Sequence, residues 1–197
     1  MQLSDSLKAR YLCLQILTGV FKKRKSVSHI LESQRVSVSF YKDSDVAIAK
    51  RLSDFIFLHL NSVDYCIDLY VKKNIKLEVR NILRLVIAEY VNKGSPDYAI
   101  VNSAVKLAKL NKASSFFSGL VNAIARKLVL NLRKNELVFK PELQANFRIN
   151  LRKYYTEDVI QKLEKLITKR APIDITISDK KDINFFRKQL NAIELPT

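Results

Sequence analysis

Apolar residues recur along the first two thirds of the chain at the spacing of buried helical stripes. The longest stripe lies in 117–132, where apolar residues return every three or four positions. Shorter stripes of the same kind occur at 13–21, 27–31, 48–59, 63–70, 79–90 and 100–108. Seven helical segments with short joints predict an all-α helical bundle over residues 1–135.

The residues just before the sixth stripe, at 100–108, carry strong signals for the end of one helix and the start of the next. Gly94 suits the left-handed position after a helix, where a Cβ is unfavourable. Ser95 can cap the next helix, and Pro96 suits its first turn because no N–H is needed there. We therefore predict that the sixth helix begins with Ser95 as its N-cap.

The pattern changes near residue 136, and residues 141–197 are predicted to be a small, incomplete α/β connector. A helix is predicted from Thr156 to Arg170, and alternating isoleucines over 173–177 indicate a strand. A second helix over 180–190 and a second strand over 192–195 complete a β-α-β unit. The apolar residues expected to be buried by this second helix are Ile183, Phe186 and Leu190. Two strands do not form a stable sheet alone, so the connector must pack on another surface.

The chain of 197 residues carries 35 Lys and Arg against 19 Asp and Glu, a formal net charge of +16. Such an excess favours a polyanionic partner, and residues 100–135 contain no acidic side chain at all. The candidate RNA-binding residues are Lys8, Arg10, Lys22, Lys23, Arg24, Lys106, Lys109, Lys112, Arg126, Lys127, Arg133 and Lys134. The alternatives are lysine enrichment by an AT-rich genome and a solvated surface that only maintains solubility.

Candidate chemistry is sparse, and no catalytic residue, metal site or cofactor site is predicted. The two histidines, His29 and His59, have no ligand partners at metal-site spacing, and His59 lies on an apolar helical face. Cys13 and Cys66 fall on buried stripes, where a thiol acts as a small hydrophobe. Three glycines leave no phosphate-binding loop. There is no run of 18 apolar residues, and the bundle itself needs the apolar helix faces. We expect a cytoplasmic protein with no membrane partner.

Two segments resemble the signature motifs of a known family. They are SPDYAIVNSAVKLAK at 95–109 and GLVNAIARK at 119–127. Both are similar to the NusB-like helical RNA-binding domain, and more specifically to the front part of bacterial RsmB/Sun-type ribosomal RNA cytosine-5 methyltransferases. The resemblance covers about residues 8–135, and the segment 170–175 is similar to the entry of the connector in those enzymes. Ser103 departs from the family pattern, which has an acidic residue there, and Tyr98 is expected to pack its ring and expose its hydroxyl.

The resemblance implies an RNA-binding, non-catalytic N-terminal region of a ribosomal RNA (cytosine-5) methyltransferase that contacts RNA phosphates. It implies that S-adenosylmethionine and the active-site cysteines belong to a methyltransferase domain that is absent from these 197 residues. The 197 residues by themselves would then not be an enzyme. Implied partners are ribosomal RNA, a methyltransferase domain or a ribosomal protein. The alternative is a stand-alone NusB-like transcription antitermination or termination factor, and a third possibility is a protein–protein adaptor. The connector favours the first, because antitermination proteins of this family end with the bundle.

Overall fold

The structure is a computed structural model that describes residues 3–35, 40–71, 74–92, 95–134, 139, 142–167, 169 and 175–193. Every regular element in these ranges is helical. The α-helices are α1 (Asp5–Lys23), α2 (Val27–Arg35), α3 (Asp43–Leu58), α4 (Leu60–Asp68), α5 (Leu77–Val91), α6 (Asp97–Leu110), α7 (Ser118–Arg133), α8 (Ala145–Leu151), α9 (Glu157–Ile167) and α10 (Ile183–Leu190). Single 3-10 turns lie at Ser115–Phe117 and Lys180–Asp182. The prediction of an all-α bundle is confirmed.

Helix α5 is the centre of the bundle and packs against α1, α3, α4, α6 and α7. Residues 81–89 of α5 are all buried, as expected for a helix that is surrounded on every side. Its apolar residues contribute to two core clusters, one mainly with α4, α6 and α7 and the other mainly with α1, α2 and α3. The predicted stripes form these cores, so the helical spacing in the sequence identified the buried faces.

The joint between α1 and α2 is tight. Arg24 ends α1 in the left-handed conformation, with φ 52° and ψ 35°, and the chain turns directly into α2. Ile30 then packs against the backbone of Gly19, where an added Cβ would lie 2.8 Å from Cγ1 of Ile30. This close approach holds α2 against the end of α1.

The predicted cap of the sixth helix is wrong. Helix α6 begins at Asp97 with Pro96 as its N-cap residue, which has extended backbone angles and makes no side-chain cap. The hydroxyl of Ser95 instead accepts a hydrogen bond from Nη2 of Arg10 at 2.8 Å. The Ser95 hydroxyl therefore binds a guanidinium from α1 and does not cap α6. Gly94 lies outside the described residues.

The predicted β-α-β connector is not supported. Ile175, Ile177 and Ala192 are not in strands, while 173–174 and 194–195 lie outside the described residues. A strand needs a hydrogen-bonding neighbour, and the part of the chain that the structure describes supplies none for these isoleucines. The two predicted helices are present as α9 and α10, and α8 was missed. The predicted burial of Phe186 and Leu190 on α10 is wrong as well, since these side chains are 37% and 51% exposed.

Helices α8 and α9, which follow the bundle, are linked by polar contacts of Glu164. Ile160 of α9 is fully buried, and the carboxylate of Glu164 is buried beside it. Oε1 of Glu164 accepts the backbone N–H of Leu143 at 3.0 Å and lies 3.2 Å from Nε of Arg148 on α8. The predicted boundary near residue 136 falls among residues 135–138, which lie outside the described ranges, and stays a prediction.

Candidate nucleic-acid interface

The ends of α1 and α6 are distant in sequence but lie at one cleft of the bundle, and both carry exposed cations. A cleft with a volume of about 230 Å³ is lined by Lys23 and Lys25 from the end of α1 and by Asn111 and Ser114 from the joint after α6. The ends of α1 and α6 are therefore neighbours. We define the basic end by its exposed cations, which are Lys23, Arg24, Lys25, Lys109 and Lys112. None of them forms an ion pair within the described part of the chain.

The cationic surface continues along the outer faces of α6 and α7. Lys106, Arg126 and Lys127 are exposed, and the faces opposite them bury Leu107 and Leu128 in the core. The two helices run antiparallel, because Asp97 at the start of α6 pairs with Arg133 at the end of α7. Lys134 follows as an exposed residue after α7. The predicted cations of both helices therefore lie on exposed surface, opposite the faces that form the core.

Arg10 has a structural partner that the sequence did not reveal. Its guanidinium pairs with the carboxylate of Glu89 on α5, and the two side chains are 16% and 5% exposed. Burial raises the pKa of Glu89 above its usual value, and the charge of Arg10 opposes that rise. Arg10 therefore joins α1, α5 and Ser95, and we leave it out of the proposed RNA contacts.

Three further predicted cations have acidic partners. Nζ of Lys22 lies 2.9 Å from Oε1 of Glu78, and this hydrogen bond lowers the pKa of Glu78. Lys8 lies 2.9 Å from Asp5. Arg133 pairs with Asp97, which is only three residues before the acid-free stretch. These pairs reduce the net charge available to a ligand at both ends of α1 and at the end of α7.

Two aromatic side chains near the two ends of α6 are exposed. Phe116 is 93% exposed in the joint between α6 and α7, beside the basic end, while Phe117 packs on the core. Tyr98 is 77% exposed, so the expectation that its ring packs is wrong. Exposed rings among cations are the combination that stacks unpaired bases and holds their phosphates. The helical spacing correctly assigned Phe117 to the buried stripe, but it gave no indication that the neighbouring Phe116 is a candidate contact residue.

The remaining candidate chemistry is structural. Cys13 and Cys66 are 0% and 1% exposed, as predicted, and burial raises the pKa of both thiols. His59 lies 4.7 Å from the ring of Phe55, measured between centroids, and Nε2 of His29 lies 3.1 Å from Nζ of Lys25. No group of three His, Cys, Asp or Glu residues that could hold a metal occurs within the described ranges. No helix there is both long and apolar enough to cross a membrane.

The fold and its charged surface define an all-helical bundle with a cationic end and no metal cluster among the residues described. The family model that matches this chain is that of the NusB family, over residues 7–129. This match covers more than half of the chain, so the protein belongs to the NusB family. Comparisons with curated proteins and with solved structures give no significant match.

Proposed function

We propose that the protein binds RNA through the basic end and the adjoining faces of α6 and α7. Membership of the NusB family supports RNA as the ligand. The observation that carries the proposal is that the ends of α1 and α6 line one cleft. Lys23 and Arg24 at the first end and Lys109 and Lys112 at the second are exposed and form no ion pair in the described part of the chain. A cluster of this kind attracts phosphates and gains free energy by releasing their counterions.

The phosphate and stacking contacts of this surface are largely independent of nucleotide sequence. Phosphate contacts position an RNA but do not read its bases. Phe116 and Tyr98 add stacking surfaces, which tolerate any base because every base has a π-face. Tyr98 lies in the first turn of α6, and Phe116 lies in the joint after its last residue, Leu110. The helix extends about 18 Å from Tyr98 to Leu110 at ~1.5 Å per residue. A strand several nucleotides long could contact both.

We further propose that this RNA is ribosomal and that the chain is the RNA-binding front region of a ribosomal RNA cytosine-5 methyltransferase in the cytoplasm. In this proposal the 197 residues hold RNA, while S-adenosylmethionine and methyl transfer belong to a separate catalytic domain. Support comes from the helices after residue 142, which leave large apolar side chains uncovered. Leu166, Ile167 and Phe185 are 60%, 42% and 61% exposed. Apolar surface of this kind suits a neighbouring domain.

The alternative proposal is a stand-alone NusB-like antitermination or termination factor that acts with a ribosomal protein. It is favoured by the match to residues 7–129, which accounts for the bundle without any added domain. Sequencing of RNA crosslinked to the protein in cells separates the two proposals. Ribosomal RNA around a modified cytosine supports the methyltransferase region, and short leader transcripts support the stand-alone factor.

The RNA-binding proposal itself is tested by salt dependence. Lys109→Gln combined with Lys112→Gln should weaken binding of a single-stranded RNA. It should also lower the slope of log affinity against log salt by about 1.4, at ~0.7 for each phosphate that is no longer neutralised. The matched control is Lys162→Gln with Lys188→Gln, which removes equal charge from exposed positions on α9 and α10. Equal weakening by both double variants, or a slope near zero in the unmodified protein, would reject the basic end as the interface.

A further inference from the structure

The cleft at the basic end has an apolar floor and a polar rim. It lies between α1, α2, α5 and α6, and Leu14, Ile82 and Leu107 line its interior. The rim carries Lys23 and Lys25, whose side chains are otherwise without ion pairs in the described chain. A few polar groups around an apolar recess are typical of a small-ligand site.

Two amide side chains line the cleft with NH₂ groups that have no partner in the described ranges. Oε1 of Gln15 accepts a hydrogen bond from the hydroxyl of Tyr41 at 3.0 Å. Oδ1 of Asn111 accepts the backbone N–H of Ala113 at 2.9 Å. Each oxygen is occupied, so each side chain keeps its NH₂ donors for a ligand. The ligand that fits these donors carries hydrogen-bond acceptors on its edge.

The volume of the cleft limits the ligand to one small ring system. At about 230 Å³ the cleft is smaller than the ~300–1,000 Å³ of sites that enclose whole cofactors or drug-sized molecules. A flat ring can lie against Leu14 and Ile82 while its carbonyl oxygens meet the amide donors. Lys23 and Lys25 on the rim are then available to the phosphates of the sugar–phosphate backbone that carries such a ring.

We propose that the cleft receives one unstacked RNA base whose edge carries carbonyl oxygens, with the flanking phosphates bound by Lys23 and Lys25. The inference rests on the proposed RNA binding and adds base recognition to it. Single-stranded RNA is commonly recognised through bases that leave the stack and make hydrogen bonds with their edges. Uracil, cytosine and guanine offer carbonyl acceptors, and adenine does not.

The test compares a twelve-nucleotide oligouridine with an abasic strand of the same length and charge. Gln15→Leu removes the amide donors and should weaken binding of oligouridine about 10-fold. This factor lies within the range that one hydrogen-bonded contact between a side chain and a base contributes. The same variant should bind the abasic strand as the unmodified protein does. The matched control is Gln161→Leu on exposed α9, which should change neither affinity.

Gln15→Leu also removes the hydrogen-bond acceptor of Tyr41, which can disturb the fold. A second variant therefore tests the cleft without removing this hydrogen bond. Ser33 lines the cleft from the surface of α2, and Ser33→Phe should obstruct the recess with a large ring. Thermal unfolding followed by circular dichroism shows which variants are folded. Ser33→Phe should lose base-dependent affinity in the same way.

The base site and the RNA-binding function are tested by different outcomes. Equal loss for oligouridine and abasic RNA in both variants, or no loss for either RNA, would overturn the base site while leaving salt-dependent RNA binding intact. A preference for oligoadenosine over oligouridine would also overturn it. Failure of the unmodified protein to bind any of these strands would reject the RNA-binding function and the base site together.

Discussion

The guanidinium of Arg84 on α5 donates to both carboxylate oxygens of Asp64 on α4, at 2.8 and 2.7 Å. Arg84 is 5% exposed, donates to Oδ1 of Asn81 at 2.8 Å, and lies 4.3 Å from the ring centre of Phe21. This one side chain therefore links α4 and α5 to the end of α1. It therefore helps to position the end of α1, which contributes Lys23 to the basic end.

Removal of the acid should destabilise the fold strongly. Asp64→Ala leaves the buried charge of Arg84 without its partner, and the free energy of unfolding should fall by about 3–5 kcal/mol. Chemical denaturation measures this change. Adding Arg84→Met should recover part of the loss, because the unpaired charge is then gone. A loss below about 1 kcal/mol for Asp64→Ala would mean that the pair behaves as an exposed one.

Gly19→Ala should destabilise the joint between α1 and α2. The new methyl group would crowd the Cγ1 and Cδ1 atoms of Ile30. Overpacking costs roughly 1–3 kcal/mol, whereas alanine gains about 1 kcal/mol of helix propensity over glycine. We expect a net loss of about 1 kcal/mol. Ile30→Val removes Cδ1 and should reduce the loss, so strictly additive effects in a double-mutant cycle would contradict the predicted contact.

The pair of Glu89 and Arg10 should give the protein a measurable pH dependence. Burial raises the folded-state pKa of Glu89 above its ordinary value of 4.5, so the folded state binds the proton more tightly. The contribution of Glu89 is then greatest below about pH 4.5 and is lost as the pH rises through the folded-state pKa. As the pH rises through that folded-state pKa, the Glu89→Gln variant should therefore become more stable relative to the unmodified protein. Denaturation at a series of pH values measures the difference, and a constant difference would contradict a raised pKa.

Hydrogen exchange should differ sharply between the bundle and the last helix. Residues 81–89 of α5 are buried throughout, and their amides should exchange slowly. None of the residues of α10 is buried, so its amides should exchange fast. Equal protection would mean that α10 packs against a surface in solution, for example a second copy of the chain.

Apolar spacing in the sequence was sufficient to predict the helical bundle. In α7, the return of Val121, Ile124 and Leu128 to one face identifies both the element and its buried side. Such a pattern is local, since the helical repeat decides which residues share a face. The same local rule failed for Ile175 and Ile177, because a strand depends on a neighbour that alternation does not supply.

The candidate site depended on tertiary structure. In the sequence, Arg10 and Lys109 are both cations close to apolar stripes, yet Glu89 pairs with the first and no described acid pairs with the second. Lys23 and Asn111 are far apart along the chain and line one cleft only because α1 and α6 both pack on α5 and end beside each other. The sequence by itself determined how many charges the protein carries and which helices hold them. Folding decided which charges stay exposed, because the partner of a charge is chosen by contacts between residues distant in sequence.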